Sequence, residues 1–153
     1  MEIERKFLVK DLPDRLAEYS FREIEQGYLN TDPVVRVRKD GDSYYLTYKG
    51  KGLLAREEYN LALDQASYEQ LIAKADGIVL TKRRYQIPFS QDREYTIELD
   101  IFRGIYDGLI LAEVEFESEE EARNFTPPQW FGRDVTFSGE FQNGRLSQGK
   151  TQI

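Results

Sequence analysis

The sequence contains no histidine and no cysteine. Thiol nucleophiles, histidine general bases, Ser-His-Asp triads and the usual zinc sites are excluded together. Any bound metal must sit on oxygen, and carboxylate oxygens suit Mg²⁺, Mn²⁺ or Ca²⁺. Long apolar runs are also missing: no stretch reaches the length of a signal peptide or a membrane span, and the chain is charged from Glu2 onward. The expectation is a cytoplasmic protein without membrane attachment. Positive charge is scarce, at a net −7. A broad nucleic-acid-binding face is therefore not expected unless the bases are segregated from the acids.

What is present describes one folded domain. A chain of 153 residues, 40 % hydrophobic and 32 % charged, is long enough to bury a core and too apolar for disorder. Ten Tyr and nine Phe favour strands. Strand-like segments recur at about 2–10, 23–30, 34–39, 43–49, 54–63, 78–89, 94–103 and 109–117, separated by turns such as "KDGDS", "KGKG" and "RGIYDG". Eight strands suffice to close a barrel. Helices are predicted at 11–20, 64–76 and 118–125, where Asp or Ser stands as N-cap, and "FTPPQWFG" (125–132) reads as a rigid surface connection.

Strand parity carries the functional signal. In "EIERKFLV", Glu2, Glu4 and Lys6 share one face while Ile3, Phe7 and Val9 share the other, with Arg5 the exception. The alternation repeats: Arg36/Arg38, Thr47/Lys49, Arg56/Glu58/Asn60, Lys82/Arg84/Gln86, Glu98/Asp100 and Glu113/Glu115 each interleave with apolar residues. One wet face of an antiparallel sheet explains any single strand of this kind. It explains seven less well, because paired carboxylates on alternate positions lie about 7 Å apart and repel by roughly 2 kcal/mol at an effective dielectric near 20. Acidic pairs (Glu2/Glu4, Glu98/Asp100, Glu113/Glu115) alongside Arg36/Arg38, Lys82/Arg84, Lys6, Lys49 and Arg56 suit a sheet closed with its ionic faces inward. Such a lumen offers carboxylates to a divalent metal and bases to a polyanion, the composition of a phosphate-transfer site. The apolar parities then face outward and need helices as cover.

Other motifs carry less. "GRLSQGKT" (144–151) satisfies the phosphate-loop pattern, but no apolar strand precedes it and only two residues follow, so it is read as a chance match. "SEEEARNF" reads as a solvated helix start and Trp130 as a packing residue. Tyr28 in "QGYLN" fits packing and the ionic face equally well.

Together these residues resemble the CYTH family, the triphosphate tunnel metalloenzymes. The resemblance begins at the E-x-E-x-K of Glu2, Glu4 and Lys6 and continues in order through "QGYL", "RVR", "TYKG", "REEY", "KRRY", "ELD" and "EVEF", covering about residues 1–137. It implies an α+β fold: an eight-stranded antiparallel closed β-barrel, open as a tunnel, with a charged interior and a few helices packed outside. It further implies Mg²⁺ or Mn²⁺ on Glu2, Glu4, Glu113 and Glu115, with Glu98 and Asp100 joining directly or through water. Lys6, Arg36, Arg38, Lys49, Lys82 and Arg84 resemble the family's phosphate-binding bases. Arg56 and Glu58 match its R-x-E neighbourhood and Tyr28 a tyrosine on the tunnel wall. Lys6, Tyr28, Lys82, Arg56 and Glu58 are the catalytic candidates. The segment "FSGEFQNGRLSQ" departs from the pattern of a closing helix with basic or polar residues, leaving Arg145 as the residue that could compensate.

Among family activities, "ERKFLV" and "PPxWFG" look most like the inorganic triphosphatase group. The leading expectation is hydrolysis of inorganic triphosphate to pyrophosphate and phosphate, with water as nucleophile since neither Cys nor His is available. A class IV-type adenylate cyclase, a thiamine or nucleoside triphosphatase, and a noncatalytic polyphosphate-binding module are the alternatives. Acidic pairs speak against the last, because bare carboxylates repel a polyanion. The expected partner is a small triphosphate, without nucleic acid or membrane, and a homodimer is left open.

Overall fold

Each ionic strand pairs antiparallel with its neighbours, and the computed structural model, which describes residues 1–149 and 151, joins them into one sheet. The strands are β1 (Glu2–Val9), β2 (Phe21–Thr31), β3 (Val34–Asp40), β4 (Ser43–Lys49), β5 (Ala55–Arg56), β6 (Glu58–Ala62), β7 (Asp76–Ser90), β8 (Glu94–Phe102), β9 (Ile110–Glu115) and β10 (Phe131–Asp134). Their order is β10-β1-β9-β8-β7-β2-β3-β4-β6, with β5 pairing back onto β1. The expected strand 54–63 breaks at Glu57: β6 stays with β4 while β5 turns to β1, placing Arg56 opposite Glu2. Counted as one interrupted stave, β5 and β6 nearly close a barrel of eight staves.

The seam lies along β1. Its first half pairs with β5, and the Glu4 amide donates to the Leu54 carbonyl at 3.0 Å. Its second half pairs with β10, where the Lys6 amide donates to Thr136 Oγ1 at 3.0 Å and the Val135 amide to the Lys6 carbonyl at 2.9 Å. The seam edge of β1 is thus paired along both halves, as a buried strand requires. Residues 125–132 are therefore more than the surface connection expected from the prolines: Phe125 and Phe131 are buried in the core, and β10 repairs the wall. Trp130 packs edge-on against Phe131, ring centroids 4.7 Å apart.

Helix α1 (Gln65–Ile72) begins at Asp64, whose side chain accepts the Ser67 amide at 2.7 Å, and α2 (Glu119–Asn124) begins at Ser118, which accepts the Glu121 amide at 3.1 Å. The helix expected over 11–20 does not form. Pro13 disfavours helical geometry in the residue before it, Arg15 is left-handed at φ 60°, and only a 3₁₀ turn at Leu16–Glu18 remains. A short α3 (Asn143–Ser147) forms instead in the C-terminal segment, and the chance phosphate-loop match starts inside it rather than in a loop preceding a helix. Lys150 of that match lies outside the described residues.

The core sits outside the barrel, as the parity argument requires. Phe7, Tyr85, Ile87, Ile97, Leu99, Ala112 and Val114 on the outer faces of β1, β7, β8 and β9 bury against Phe116, Ala122, Phe125 and Phe131. Arg5, the exception on that face, donates to the Ala122 and Phe125 carbonyls at 2.9 and 3.0 Å and to Asp134 at 2.9 Å, closing the end of α2. On the far side α1 lies directly over Gly27 of β2, where a Cβ would come within 2.6 Å of Ile72 and 2.8 Å of Ala75. A second cluster comprises Tyr28, Val34, Leu80, Phe102, Leu109 and Leu111 with Val135, Phe141 and Leu146. It is built on inward parity and forms an apolar floor at one end of the barrel. The inward rows of β1, β2, β3, β7, β8 and β9 thus end in an apolar residue at this floor, and α3 packs against it through Leu146.

Candidate active site in the barrel lumen

The lumen is a cavity of about 770 Å³. Its walls differ in sign. In the ring of eight staves, β9 and β3 are four steps apart, through β8, β7 and β2, and so face each other. Glu113 and Glu115 on β9, flanked in register by Lys6 and Glu4 on β1 and by Glu98 on β8, make the acidic wall. Arg36 and Arg38 on β3, with Lys49 on β4, make the basic one.

The two arginines are nine-tenths or more buried, yet among the described residues neither meets a carboxylate within ion-pair distance. Arg36 donates to Thr47 Oγ1 at 3.2 Å and its Nε has no partner; burial, then the neighbouring Arg38, depresses its pKa. Arg38 Nε donates to Gln26 Oε1 at 2.7 Å and Nη1 to Tyr45 at 3.4 Å. Holding cations this way is costly unless an anion arrives.

The acidic wall has the opposite deficit. Burial, then the proximity of Glu113, pushes the Glu4 carboxyl up to about 8. Glu115 is raised by burial and by Glu2, and Glu58 by burial with Glu2 opposing Lys49. Burial alone would raise Glu113 too, but Lys6, Arg84, Lys82 and Lys49 together hold it well below the usual carboxylate range. Its Oε1 nevertheless lacks a hydrogen-bond partner, with Lys6 Nζ at 3.6 Å. Lys49 lies 2.8 Å from Glu2, which keeps that carboxyl low against its burial, and 3.8 Å from Glu58.

The predicted residues are thus brought together, with two set apart by depth. Glu2, Glu4, Lys6, Tyr28, Arg36, Arg38, Lys49, Arg56, Glu58, Arg84, Glu98, Glu113 and Glu115 all line the lumen. Lys82 and Asp100 do not: both side chains are fully buried behind the wall, 2.7 Å apart, and Asp100 also receives Arg84 Nε and Nη2 at 2.7 and 2.8 Å. Asp100 is a shared counter-ion for two bases here, with both oxygens committed. Burial, only partly offset by Asp100, lowers Lys82 to about 7. Tyr28 belongs both to the lumen wall and to the apolar floor, which accounts for its double reading.

Sequence reasoning missed Arg22, Asp40, Tyr45, Gln142 and Asn143, which also line the cavity, and Gln26, which holds Arg38 in place beside it. Gln26 shares the inward parity of the charged residues; being neutral, it gave no signal. Gln142, Asn143 and Arg145 come from a helix too short to show periodicity.

No three acidic side chains among the described residues stand close enough to hold an ion without side-chain movement. The donor set nonetheless fits a hard divalent cation: all oxygen, one buried Oε1 unsatisfied, and one carboxyl held neutral for want of positive charge. Lys6 and Lys49, which now contact Glu113 and Glu2, are the groups that would transfer to an arriving anion.

The CYTH domain model matches residues 1–148. Curated relatives include an inorganic triphosphatase of Nitrosomonas europaea, 40 % identical over 151 residues (95 % of this chain, 96 % of that one), and an inorganic triphosphatase of Acetivibrio thermocellus, 34 % identical over 150 residues (95 % and 92 %). A crystal structure of an inorganic triphosphatase, 37 % identical, superposes with a TM-score of 0.73 over 99 % of this chain and 97 % of that one. A putative adenylate cyclase of Bacillus halodurans, 17 % identical with a TM-score of 0.56 over 100 % and 94 %, shares the fold. The chain belongs to the CYTH domain family.

Proposed function

We propose that this protein hydrolyses inorganic triphosphate to pyrophosphate and phosphate in its lumen, with Mg²⁺ or Mn²⁺ bound to the acidic wall. The observation that carries the reading is the pairing of opposite deficits: Arg36 and Arg38 buried without carboxylate partners, facing carboxylates with an unsatisfied oxygen. A linear triphosphate with a divalent cation supplies both missing charges at once. The two triphosphatase relatives at 40 and 34 % identity support the same substrate.

In this reading Glu2, Glu4, Glu113 and Glu115 hold the cation, with Glu98 at its edge. When bound, the cation would neutralise the phosphates and lower the pKa of a coordinated water. Arg36, Arg38 and Lys49 orient the chain of phosphates along the basic wall, and Arg84 and Lys6 stabilise charge growing on the leaving pyrophosphate. Water attacks a terminal phosphorus, the P–O–P bridge breaks, and the water's proton is lost to a carboxylate or to solvent. Arg56 and Glu58 sit beside Glu2 and steady the wall. Asp100 keeps Lys82 and Arg84 in place from behind.

Incubating the purified protein with tripolyphosphate, ATP and thiamine triphosphate, each with Mg²⁺ or Mn²⁺, tests the assignment by product. Equimolar phosphate and pyrophosphate chiefly from tripolyphosphate is expected. Cyclic AMP from ATP, or tight binding without turnover, would replace it with a cyclase or a binding module.

A further inference from the structure

We infer that Asn143, at the closed end of the lumen, donates from its amide nitrogen to a phosphate of the substrate, and that Lys82 fixes the amide in that orientation. The inference rests on the triphosphate reading of the site and adds a contact made by the C-terminal segment.

Lys82 Nζ lies 3.2 Å from Asn143 Oδ1. Nζ donates and Oδ1 accepts, which sets the orientation of the amide. Nδ2, with two N–H donors, is left on the other branch, and among the described residues it has no hydrogen-bond partner. Asn143 is half-buried and lines the cavity, whereas Lys82 does not. The ammonium is walled in by Asp100 at 2.7 Å and by the Phe102 ring at 5.2 Å, so its influence reaches the lumen through Asn143.

Lys82 and Arg84 share Asp100, and Arg84 also reaches Glu98 at 3.4 Å and Glu113 at 3.6 Å, so Asn143 adds hydrogen-bond donors to this end of the lumen without adding charge. Two residues earlier the Phe141 carbonyl accepts from Lys6 Nζ at 3.2 Å. The segment 141–143 thus satisfies both buried lysines with neutral oxygens and turns a pair of free donors toward the cavity. An aspartate here would match the shape but present a charged oxygen to the phosphate.

The test is binding of the nonhydrolysable analogue imidotriphosphate with Mg²⁺, followed by calorimetry and by the Asn143 side-chain amide resonance of ¹⁵N-labelled protein. A hydrogen bond to a charged group is worth enough that Asn143→Ala should weaken binding about tenfold and Asn143→Asp by more. The amide resonance should move in step with saturation. Equal loss of turnover and affinity is expected, with Tm little changed. Affinity of Asn143→Asp within twofold of wild type, or an amide resonance that stays in place at saturation, would overturn the inference. If Asn143→Asp does not fold, the wild-type resonance and Asn143→Ala decide it. Wild type that binds the analogue through Asn143 but releases no phosphate from tripolyphosphate would reject the hydrolase reading alone; active wild type with an indifferent Asn143→Asp would reject this inference alone.

Discussion

Replacing Glu4 by Gln should stabilise the protein in the absence of divalent metal, and the size of the gain follows from the acidic wall. Burial and the adjacent Glu113 raise the Glu4 carboxyl from 4.5 to about 8. A group whose folded pKa is raised contributes stability that is complete below its unfolded pKa and is lost as pH climbs through the folded one. Across the interval 8 − 4.5 = 3.5 pH units, at 1.36 kcal/mol per unit, the loss is at most about 5 kcal/mol. Glu4 faces the open lumen, and solvent screening there trims the figure to about 2–3 kcal/mol. Gln is isosteric and carries no charge to bury. Urea unfolding with EDTA at pH 5 and pH 8 should therefore show the variant close to wild type at the lower pH and more stable by that amount at the higher. Adding Mn²⁺ at pH 8 should close the gap, because only wild type has the full carboxylate set to bind it. A variant no more stable than wild type at pH 8 would refute the claim that this wall lacks positive charge.

Other consequences concern different parts of the wall. Asp100→Asn strips the shared counter-ion from Lys82 and Arg84 and should cost about 3–5 kcal/mol in urea unfolding; a cost under about 1 kcal/mol would return Asp100 to the role of ligand. Lys6→Ala and Glu113→Gln should each lower kcat for tripolyphosphate by about two to three orders of magnitude with circular dichroism unchanged, and near-normal rates in both would contradict the site. Gly27→Leu drives a side chain into Ile72 and Ala75 and should destabilise by about 2 kcal/mol or more, read as a fall in Tm.

Much of this site was legible because strand parity converts directly into geometry. Arg36 and Arg38, Glu113 and Glu115, and Glu2 and Glu4 point inward simply because their neighbours Val37, Val114 and Ile3 must face the packed exterior. Parity does not report depth along the barrel axis. Lys82 and Asp100 have the right parity but lie at the level where the rows turn apolar, beside Leu80 and Phe102, and are sealed from the lumen. A trace of that floor was present in the sequence: Leu8 follows Lys6, Leu80 precedes Lys82, Phe102 follows Asp100 and Leu111 precedes Glu113, all on the inward face. The break of 54–63 at Glu57, by contrast, depends on how β5 meets β1, a long-range pairing with no local signal. The failed helix at 11–20 reflects a good N-cap and acidic first turn outweighed by Pro13.

Two walls of opposite charge sharing one ligand are the core of this site. Diffraction from crystals soaked with Mn²⁺ and imidotriphosphate, with anomalous scattering to locate manganese, examines this directly. The prediction is manganese among Glu2, Glu4, Glu113 and Glu115 with phosphate oxygens against Arg36, Arg38 and Lys49. Manganese or analogue bound only on the outer surface, with the lumen holding water alone, would contradict it.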